Sequence, residues 1–465
     1  MANVNRIAAE DGAAIGLWRS DIKPTLTLGL PLVGAQLAQM AINTTDVVMI
    51  GWLGAEELAA AVLAFNLFIL FWFFGMGVTQ AVIPLAARAV GQKTPRDLRR
   101  VVRMGLWVVA LYCLPVWVTL SFTEQILVLL GQDPEISRLA GGYMLVMQWT
   151  LLPSLAIMAL RAFLTVMECT QILLWTTLGG AVVNAGLDYV LIFGLLGAPR
   201  LELVGAAIAS VFTASMNFVL LVVYVTRHRR LRRYTIFGRL WRSDWPVFFQ
   251  IVRFGWPIGT VIVAEGVLFS GSAVMMGWIG TLPLAAHGIA LQIASIVFMV
   301  PVGLSQAGMA RVGLAMGRGD LAGIGRAGWT ALGLTLGFMG CAAVTFWTVP
   351  DVLVSLFLDF DNPQAADVLA IAVSFLSVAA LFQLFDGAQI SGGSMLRGLG
   401  DTVVPLVFAL LGYWVIGVGL SYGLAFGVGL GGIGIWWGLA GGLAATASMA
   451  IWRFANRERL GLVRV

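Results

Sequence analysis

The chain of 465 residues is 60% hydrophobic and only 11% charged, with a net charge of +5 and a mean hydropathy of +0.93. Soluble globular chains carry about 25% charged residues, so this composition excludes a water-soluble globular protein. Apolar runs recur along the whole sequence, and each can cross a hydrocarbon core about 30 Å thick as a helix of roughly 20 residues. The runs are continuous rather than alternating, which favours helices over a β-barrel. We therefore expect an all-α integral membrane fold.

The chain begins with a polar segment of mixed charge, residues 1–24, which lacks the pattern of a cleaved signal peptide. Charge clusters, proline and glycine separate the apolar runs that follow. These runs predict twelve transmembrane helices, over residues 25–50, 58–87, 103–123, 140–166, 172–197, 204–226, 248–276, 283–310, 325–349, 366–394, 403–426 and 433–454. They group into an N-lobe, a basic linker, a C-lobe and a tail, with the predicted bounds 25–226, 227–247, 248–454 and 455–465.

The basic residues predict the orientation. Of the 28 Lys and Arg residues, 26 fall in the tails, in the even-numbered loops or at the edges of those loops, and only Arg138 and Arg200 do not. The positive-inside rule then places both termini in the cytoplasm. The same clusters explain the pI of about 9.4, so no nucleic-acid partner is expected.

The two halves of the sequence repeat at a fixed offset of 226 residues. Fourteen residues of the first half recur unchanged at this offset, without gaps: Gly29, Pro31, Val48, Met49, Gly51, Trp52, Gly54, Leu58, Ala59, Ala60, Ala64, Gly77, Gln80 and Gly91. Because six helices is an even number, the second copy starts on the same side of the membrane as the first. The halves are therefore predicted to be parallel repeats, related by a pseudo-two-fold axis along the membrane normal, with a binding cavity between them and alternating access.

Four acidic residues lie inside predicted helices rather than in loops: Asp46, Asp188, Glu265 and Asp386. A carboxylate within the membrane is costly and is a functional hypothesis by default. No Lys or Arg is expected at comparable depth to pair with them. Because burial disfavours the charged form, each acid can hold a proton, bind Na⁺ or take a cationic substrate.

The acids have polar neighbours at helical spacing, in the groups Gln39–Asn43–Asp46, Asn184–Asp188 and Gln383–Asp386–Gln389. Such oxygen-rich groups suit a proton or a hard monovalent cation. The alternative for a lone Gln or Asn is an interhelical hydrogen bond, worth about 0.6 kcal/mol on average. Gln39, Asn43, Gln292, Gln383 and Gln389 are candidate polar residues of the cavity. The 226-residue offset aligns Asp46 with Ser272 and Glu265 with Gln39, which predicts two non-equivalent cation sites.

Four stretches together resemble the multidrug and toxic compound extrusion (MATE) transporters, particularly their NorM-type bacterial branch. They are TTDVVMIGWLG with ELAAAVLA (44–64), VVNAGLDYVLIFGLLGAP (182–199), LPLAAHGIALQIASIVFMVPVGLSQAGMARVG (282–313) and LFDGAQISGGSMLRGLGDT (384–402). The resemblance implies two six-helix lobes and export of cationic, amphipathic compounds in exchange for Na⁺ or H⁺. It also implies a multi-pass protein of the bacterial inner membrane with no enzymatic activity, no cofactor besides the coupling ion, and a monomer sufficient for function.

The resemblance also assigns residues to ion coupling. It matches the family's acids on helices 1, 7 and 10 to Asp46, Glu265 and Asp386, and an N-lobe pair on helix 5 to Asn184 and Asp188. Na⁺ would then bind at Glu265 and Asp386, or at Asp46, Asn184 and Asp188. Where related members have an aromatic hydroxyl near the helix-10 acid, this chain has Phe382.

Three other functions fit the sequence less well. A lipid-linked oligosaccharide flippase of the same superfamily would need a cationic cavity for pyrophosphate, whereas the buried charge here is predicted to be acidic. An intramembrane aspartyl protease is suggested only by Gly398-Leu399-Gly400-Asp401, which lies at a predicted cytoplasmic loop and lacks the required context. A passive channel lacks a recognisable filter sequence.

Overall fold

The computed structural model describes residues 2–195, 197, 199–358 and 363–463. Among these residues, twelve helices are long and apolar enough to cross a membrane. In chain order they are α1 Asp21–Gly51, α2 Ala55–Gly91, α3 Pro95–Leu120, α4 Pro134–Val166, α5 Gln171–Phe193, α6 Glu202–Arg227, α7 Trp245–Ile279, α8 Thr281–Arg318, α9 Leu321–Thr348, α10 Ala365–Gly398, α11 Val403–Gly427 and α12 Gly431–Ala455. The predicted all-α fold with twelve spanning helices is confirmed.

Several helices extend beyond the predicted apolar runs. The helix that contains α1 begins at Ala2, and α8 continues to Arg318, eight residues past its predicted end. Hydropathy marks only the apolar part of a helix, whereas backbone hydrogen bonding continues through polar ends. Glycine terminates α8, since Gly319 has a φ of 71°, in the left-handed region where a side chain is disfavoured.

Three spanning helices are irregular. In α2, a regular helix ends at Gln80 and another begins at Val82, and in α4 a 3₁₀ turn at Gln148–Thr150 joins two segments. The third is α11, which contains π-helical stretches at Leu411–Val418 and Gly423–Gly427. Such stretches often occur at functional sites. Short helices at Thr123–Leu129, Pro350–Ser355 and Arg232–Tyr234 lie in the connections.

The chain divides into two compact units. The N unit comprises residues 34–263, and the C unit comprises the residues up to Val33 together with those from Ala264 onward. The boundaries fall inside α1 and α7 rather than at the basic linker. The domain bounds derived from the sequence remain a prediction.

In the N unit, the first half of α7 packs closely on α2. A side-chain Cβ at Gly77 would overlap the backbone of Gly259, and one at Gly255 would lie 2.6 Å from the carbonyl oxygen of Val78. Real Cβ atoms do not come this close to backbone atoms, so these positions require glycine. Small residues of this kind let helix backbones approach in a membrane.

The C unit contains the equivalent contact between α1 and α8. A Cβ at Gly29 would lie 2.8 Å from the Leu304 side chain, and one at Gly303 would lie 2.6 Å from the backbone nitrogen of Val33. Each of these four residues is 226 positions from its counterpart in the N unit. The sequence repeat therefore corresponds to a repeated helix contact.

Candidate substrate and cation sites

The N unit contains a cavity of about 280 Å³ between α1, α2, α4, α5 and α6. Its wall is mostly apolar, with Phe65, Phe68, Trp72, Met147 and Met158 among the lining residues. An apolar wall with a few convergent polar groups is typical of small-molecule sites. The polar groups of this wall include Asp46, Tyr143, Arg161, Asn184, Ser210 and Asn217.

Two predicted acids meet at this cavity. Asp46 on α1 lines it and accepts a hydrogen bond of 3.1 Å on Oδ2 from the Ser210 hydroxyl of α6. Asp188 on α5 is fully buried, and its Oδ2 accepts a hydrogen bond of 2.7 Å from the Asn184 side-chain amide. The carboxyl groups of Asp46 and Asp188 lie within hydrogen-bonding reach of each other. The structure thus brings the predicted residues of α1 and α5 together. We call Asp46, Asn184, Asp188 and Ser210 the N-unit acid cluster.

The N-unit acid cluster contains three buried oxygens that accept no hydrogen bond from a described donor. They are Asp46 Oδ1, Asn184 Oδ1 and Asp188 Oδ1. Buried polar atoms in proteins are nearly always satisfied, so unsatisfied ones need an explanation. Oxygen atoms from two carboxyl groups and one amide form a donor set that suits Na⁺ or a proton.

The other predicted residues of α1 lie on the same face. Gln39 and Asn43 both line the cavity, and the Gln39 amide lies 3.5 Å from Asn43 Oδ1. Ser210 was not predicted, because a single serine in an apolar span carries no distinguishing pattern. Tyr143 of α4 is buried at the same wall.

The expectation that the buried charge is acidic throughout is wrong, because the cavity is also lined by a buried cationic side chain. Arg161 on α4 is 5% exposed, lines the cavity, and donates from Nη1 to Gln36 Oε1 at 2.7 Å. Gln36 is the middle residue of α1, which spans Asp21–Gly51. Arg161 lies only five residues from the end of its predicted span, so its depth could not be recognised before α1 and α4 were placed together.

The C unit brings together a second pair of acids. The Gln389 side-chain nitrogen of α10 lies 2.9 Å from Glu265 Oε1 of α7 and 3.5 Å from Asp386 Oδ1. The Gln389 oxygen accepts a hydrogen bond of 2.9 Å from the hydroxyl of Tyr413, which is fully buried in the π-helical part of α11. We call Glu265 and Asp386 the C-unit acid pair.

The remaining predicted residues of the C unit are Gln383, Phe382 and Gln292. Gln383 is buried and donates to the Ala294 carbonyl at 3.1 Å, rather than to an acid. Phe382 packs edge-on against Trp436 at 5.4 Å. The aromatic hydroxyl that Phe382 cannot provide comes from α11 instead, as Tyr413. Gln292 is exposed.

Arg397 gives a further correction in the C unit. It lies eleven residues after Asp386 on α10 and is close enough to Glu265 and Tyr413 to interact electrostatically. Glu265 is therefore not without a cationic neighbour. Among the described residues, no group of three or more His, Cys, Asp and Glu side chains is arranged to hold a metal ion.

Twelve membrane-length helices, and a cavity lined by Asp46 next to the buried Asp188, define a polytopic membrane protein of the transporter class. Residues 31–190 and 257–423 match the family model MatE. The chain therefore belongs to the MatE family, which confirms the resemblance seen in the sequence.

Relatives match along almost the whole chain. A "Probable multidrug resistance protein NorM" of Rhizobium meliloti (strain 1021) is 46% identical over 437 residues, which cover 94% of each chain. A "Multidrug resistance protein NorM" of Burkholderia vietnamiensis is 37% identical over 431 residues, covering 92% of this chain and 93% of that relative. The solved structure of a mutant of the Vibrio cholerae MATE transporter VcmN covers 95% of this chain and 98% of its own, with a TM-score of 0.86 and 17% identity. At this identity, the structure shows that the fold is shared.

Proposed function

We propose that this protein is a secondary active multidrug exporter, which carries organic and mostly cationic, amphipathic compounds out of the cell in exchange for Na⁺ or H⁺. The curated relatives named above are multidrug resistance proteins, and they match this chain over more than nine-tenths of its length. The observation that carries the proposal is the N-unit cavity, whose apolar wall ends in the N-unit acid cluster. An apolar wall binds the hydrophobic part of such a compound, and the acids bind its charge.

The N-unit acid cluster supports ion coupling. Its three unsatisfied oxygens are free to accept a hydrogen bond or bind a cation, and two carboxyl groups in contact favour a proton or a cation between them. A coupling ion and a cationic substrate would both bind Asp46, so binding of either weakens binding of the other. This negative coupling is reciprocal, and it drives exchange by alternating access.

The C-unit acid pair is proposed as a second cation site. Glu265 and Asp386 both face the Gln389 amide group, which donates to them. Among the described residues, no carboxyl oxygen of this pair is both buried and without a donor, whereas Asp46 Oδ1 and Asp188 Oδ1 of the N-unit acid cluster are. We assign direct competition with substrate to the N unit, because Asp46 lines the cavity there.

The proposal also covers the location, oligomeric state and orientation of the protein. We place it in the bacterial inner membrane as a monomer, with both termini in the cytoplasm, as the positive-inside rule predicts. The transported compounds leave chemically unchanged, so no enzymatic activity and no cofactor are assigned. The flippase alternative is not favoured, because the residues that line the cavity include a single cationic side chain, that of Arg161, together with the acidic Asp46.

The test is ethidium efflux from vesicles that contain the purified protein. An imposed Na⁺ gradient and an imposed pH gradient are applied separately, with protein-free vesicles as the control. Efflux driven by either gradient supports the exporter and identifies its coupling ion. Efflux driven by neither gradient, from folded and correctly oriented protein, would contradict the proposed function.

A further inference from the structure

A groove between α5 and α6 forms a second hollow of the N unit, with a volume of about 730 Å³. Among the residues that line it, Thr176 also lines the N-unit cavity. Trp175 and Leu220 are 64% and 45% exposed, so the groove opens outward, on the side of the helices that meets lipid in a membrane. We call it the α5–α6 groove, and its walls include Ile172, Trp175 and Val183 of α5 and Met216, Leu220 and Val223 of α6.

The middle of the groove has no side chain on α5, because Gly179 and Gly180 are adjacent there. The two glycines have different surroundings. A Cβ at Gly180 would lie 2.4 Å from the Asn217 side-chain nitrogen, so this glycine lets α6 pack on α5. A Cβ at Gly179 would meet nothing within 4 Å. Gly179 therefore borders open space that no described residue fills.

The length of the groove corresponds to one leaflet of a bilayer. On α5 its lining residues run from Ile172, next to the start of the helix at Gln171, to Val183 near the middle. At a rise of 1.5 Å per residue this is about 16 Å, or roughly half of a hydrocarbon core about 30 Å thick. A single acyl chain of a phospholipid spans the same distance.

One end of the groove is polar and basic. Tyr224, Arg227 and His228 line this end, and Arg229 and Arg230 follow in the sequence. Within the described part of the chain, Arg227 has no carboxylate partner and the Tyr224 hydroxyl has no hydrogen-bond acceptor. Tyrosine is common at the level of lipid headgroups, where its ring is apolar and its hydroxyl is polar.

The charge at this end favours an anionic occupant. Glu168, in the connection before α5, contributes one negative charge, and Arg230 lies close enough to the adjacent Cys169 to interact electrostatically. The arginines outnumber this acid, and basic residues next to a spanning helix attract anionic lipids. A helix from a second copy of the chain could cover the apolar walls, but apolar packing alone would leave Arg227 without a counter-ion.

We propose that the α5–α6 groove is a binding site for an anionic phospholipid of the surrounding bilayer. One acyl chain lies along the groove over Gly179, and the phosphate group is bound by Arg227 and the Tyr224 hydroxyl. Because α5 carries Asp188 and α6 carries Ser210, the bound lipid stabilises the packing of two helices that contribute to the N-unit acid cluster.

Native mass spectrometry of the purified full-length protein tests this site. The probes are dioleoyl phosphatidylglycerol, which is anionic, and dioleoyl phosphatidylcholine, which has the same acyl chains and no net charge. Binding of each is measured for wild type, Gly179→Leu and Arg227→Gln. The control for the first variant is Gly186→Leu, seven residues further along α5, where a Cβ also meets nothing within 4 Å but which is not among the residues that line the groove. The control for the second is Arg96→Gln, at an exposed arginine near the start of α3.

We expect the wild type to bind phosphatidylglycerol more tightly than phosphatidylcholine. Arg227→Gln should weaken phosphatidylglycerol binding about five-fold, since a basic residue near anionic lipid contributes about 1 kcal/mol, and should change phosphatidylcholine binding much less. Gly179→Leu should weaken binding of both lipids by the same factor, about three-fold or more, because the leucine side chain takes the place of part of the acyl chain. Both controls should bind as the wild type does.

Three outcomes would overturn the proposal. Equal affinities of the wild type for the two lipids would exclude recognition of an anionic headgroup. A preference for phosphatidylglycerol that persists in both Gly179→Leu and Arg227→Gln, with each variant shown to be folded by thermal unfolding in detergent, would place the bound lipid outside the groove. A wild-type dimer that Gly179→Leu dissociates would assign the groove to a second copy of the chain.

Discussion

Gln389 connects Glu265 to Tyr413 in the C unit. Its side-chain nitrogen lies 2.9 Å from Glu265 Oε1, and its oxygen accepts a hydrogen bond of 2.9 Å from the Tyr413 hydroxyl. A Gln amide has one acceptor end and one donor end. Because Tyr413 donates to the acceptor end, it turns the donor end towards the acids. Tyr413 therefore acts on the C-unit acid pair through Gln389.

Tyr413→Phe tests this arrangement. The change removes the donor and leaves the Gln389 oxygen unsatisfied, which we expect to cost about 0.6 kcal/mol of unfolding free energy, the average for hydrogen bonds within a membrane protein. The dependence of efflux on the concentration of the coupling ion should also change, because the Gln389 amide can then rotate away from the acids. Thermal unfolding in detergent and efflux as a function of ion concentration measure the two effects. Tyr422→Phe, at an exposed position of the same helix, is the control and should change neither.

The close contact of α7 with α2 gives a second prediction. Gly77→Ala would place a Cβ into the Gly259 backbone, so the helices must separate. Overpacking of this kind costs about 1–3 kcal/mol. We expect a lower unfolding temperature in detergent than for Gly142→Ala, since a Cβ at Gly142 meets nothing within 4 Å. Equal unfolding temperatures for the two variants would show that the contact does not require glycine.

An ion pair between Arg100, near the start of α3, and Asp244, just before α7, gives a pH-dependent prediction. The Arg100 guanidinium, 2.5 Å from Asp244, holds the pKa of that carboxyl below its ordinary value. A lowered folded-state pKa stabilises the protein at pH values above the unfolded-state pKa, near 3.9, and this stabilisation is lost as the pH falls through the folded-state pKa. Arg100 is 44% exposed, so the contribution is about 0.2–1 kcal/mol.

Asp244→Asn measures this contribution. It should lower the unfolding temperature slightly at pH 7, and the difference from wild type should shrink as the pH falls below the unfolded-state pKa and disappear below the folded-state pKa. Asp351→Asn, an exposed acid in the connection after α9, is the control. A difference that persists at low pH would mean that the Asp244 charge is not its cause.

The membrane class, the number of helices and the acidic residues could be predicted because each leaves a strong signal in the sequence. Long apolar runs mark helices whatever their packing, and a carboxylate such as Asp188 is conspicuous inside one. The i, i+4 relation to Asn184 is fixed by helix geometry alone, and the hydrogen bond between the two residues follows it.

The partners contributed by other helices could not be predicted in the same way. Ser210 and Tyr413 are ordinary polar residues of apolar spans, and only packing brings them to Asp46 and Gln389. Arg161 was misplaced for a different reason. Its distance from the helix end suggested the membrane edge, whereas depth depends on how α4 lies against α1.

The N-unit acid cluster gives the sharpest prediction about transport. Asp46→Asn and Asp188→Asn keep the shape of the side chain but remove a negative charge, and the amide cannot bind a proton or Na⁺ as a carboxylate does. We expect each variant to lose most gradient-driven ethidium efflux, because the cluster can no longer exchange an ion for a cationic substrate. The loss is measured as efflux from vesicles under the Na⁺ or pH gradient that drives efflux by the wild type. The control is Asp367→Asn, at an exposed acid at the start of α10, which should retain wild-type rates. Full, ion-dependent efflux by folded Asp46→Asn would contradict this prediction and assign ion coupling to the C-unit acid pair. Asp386→Asn is the matching test of that pair.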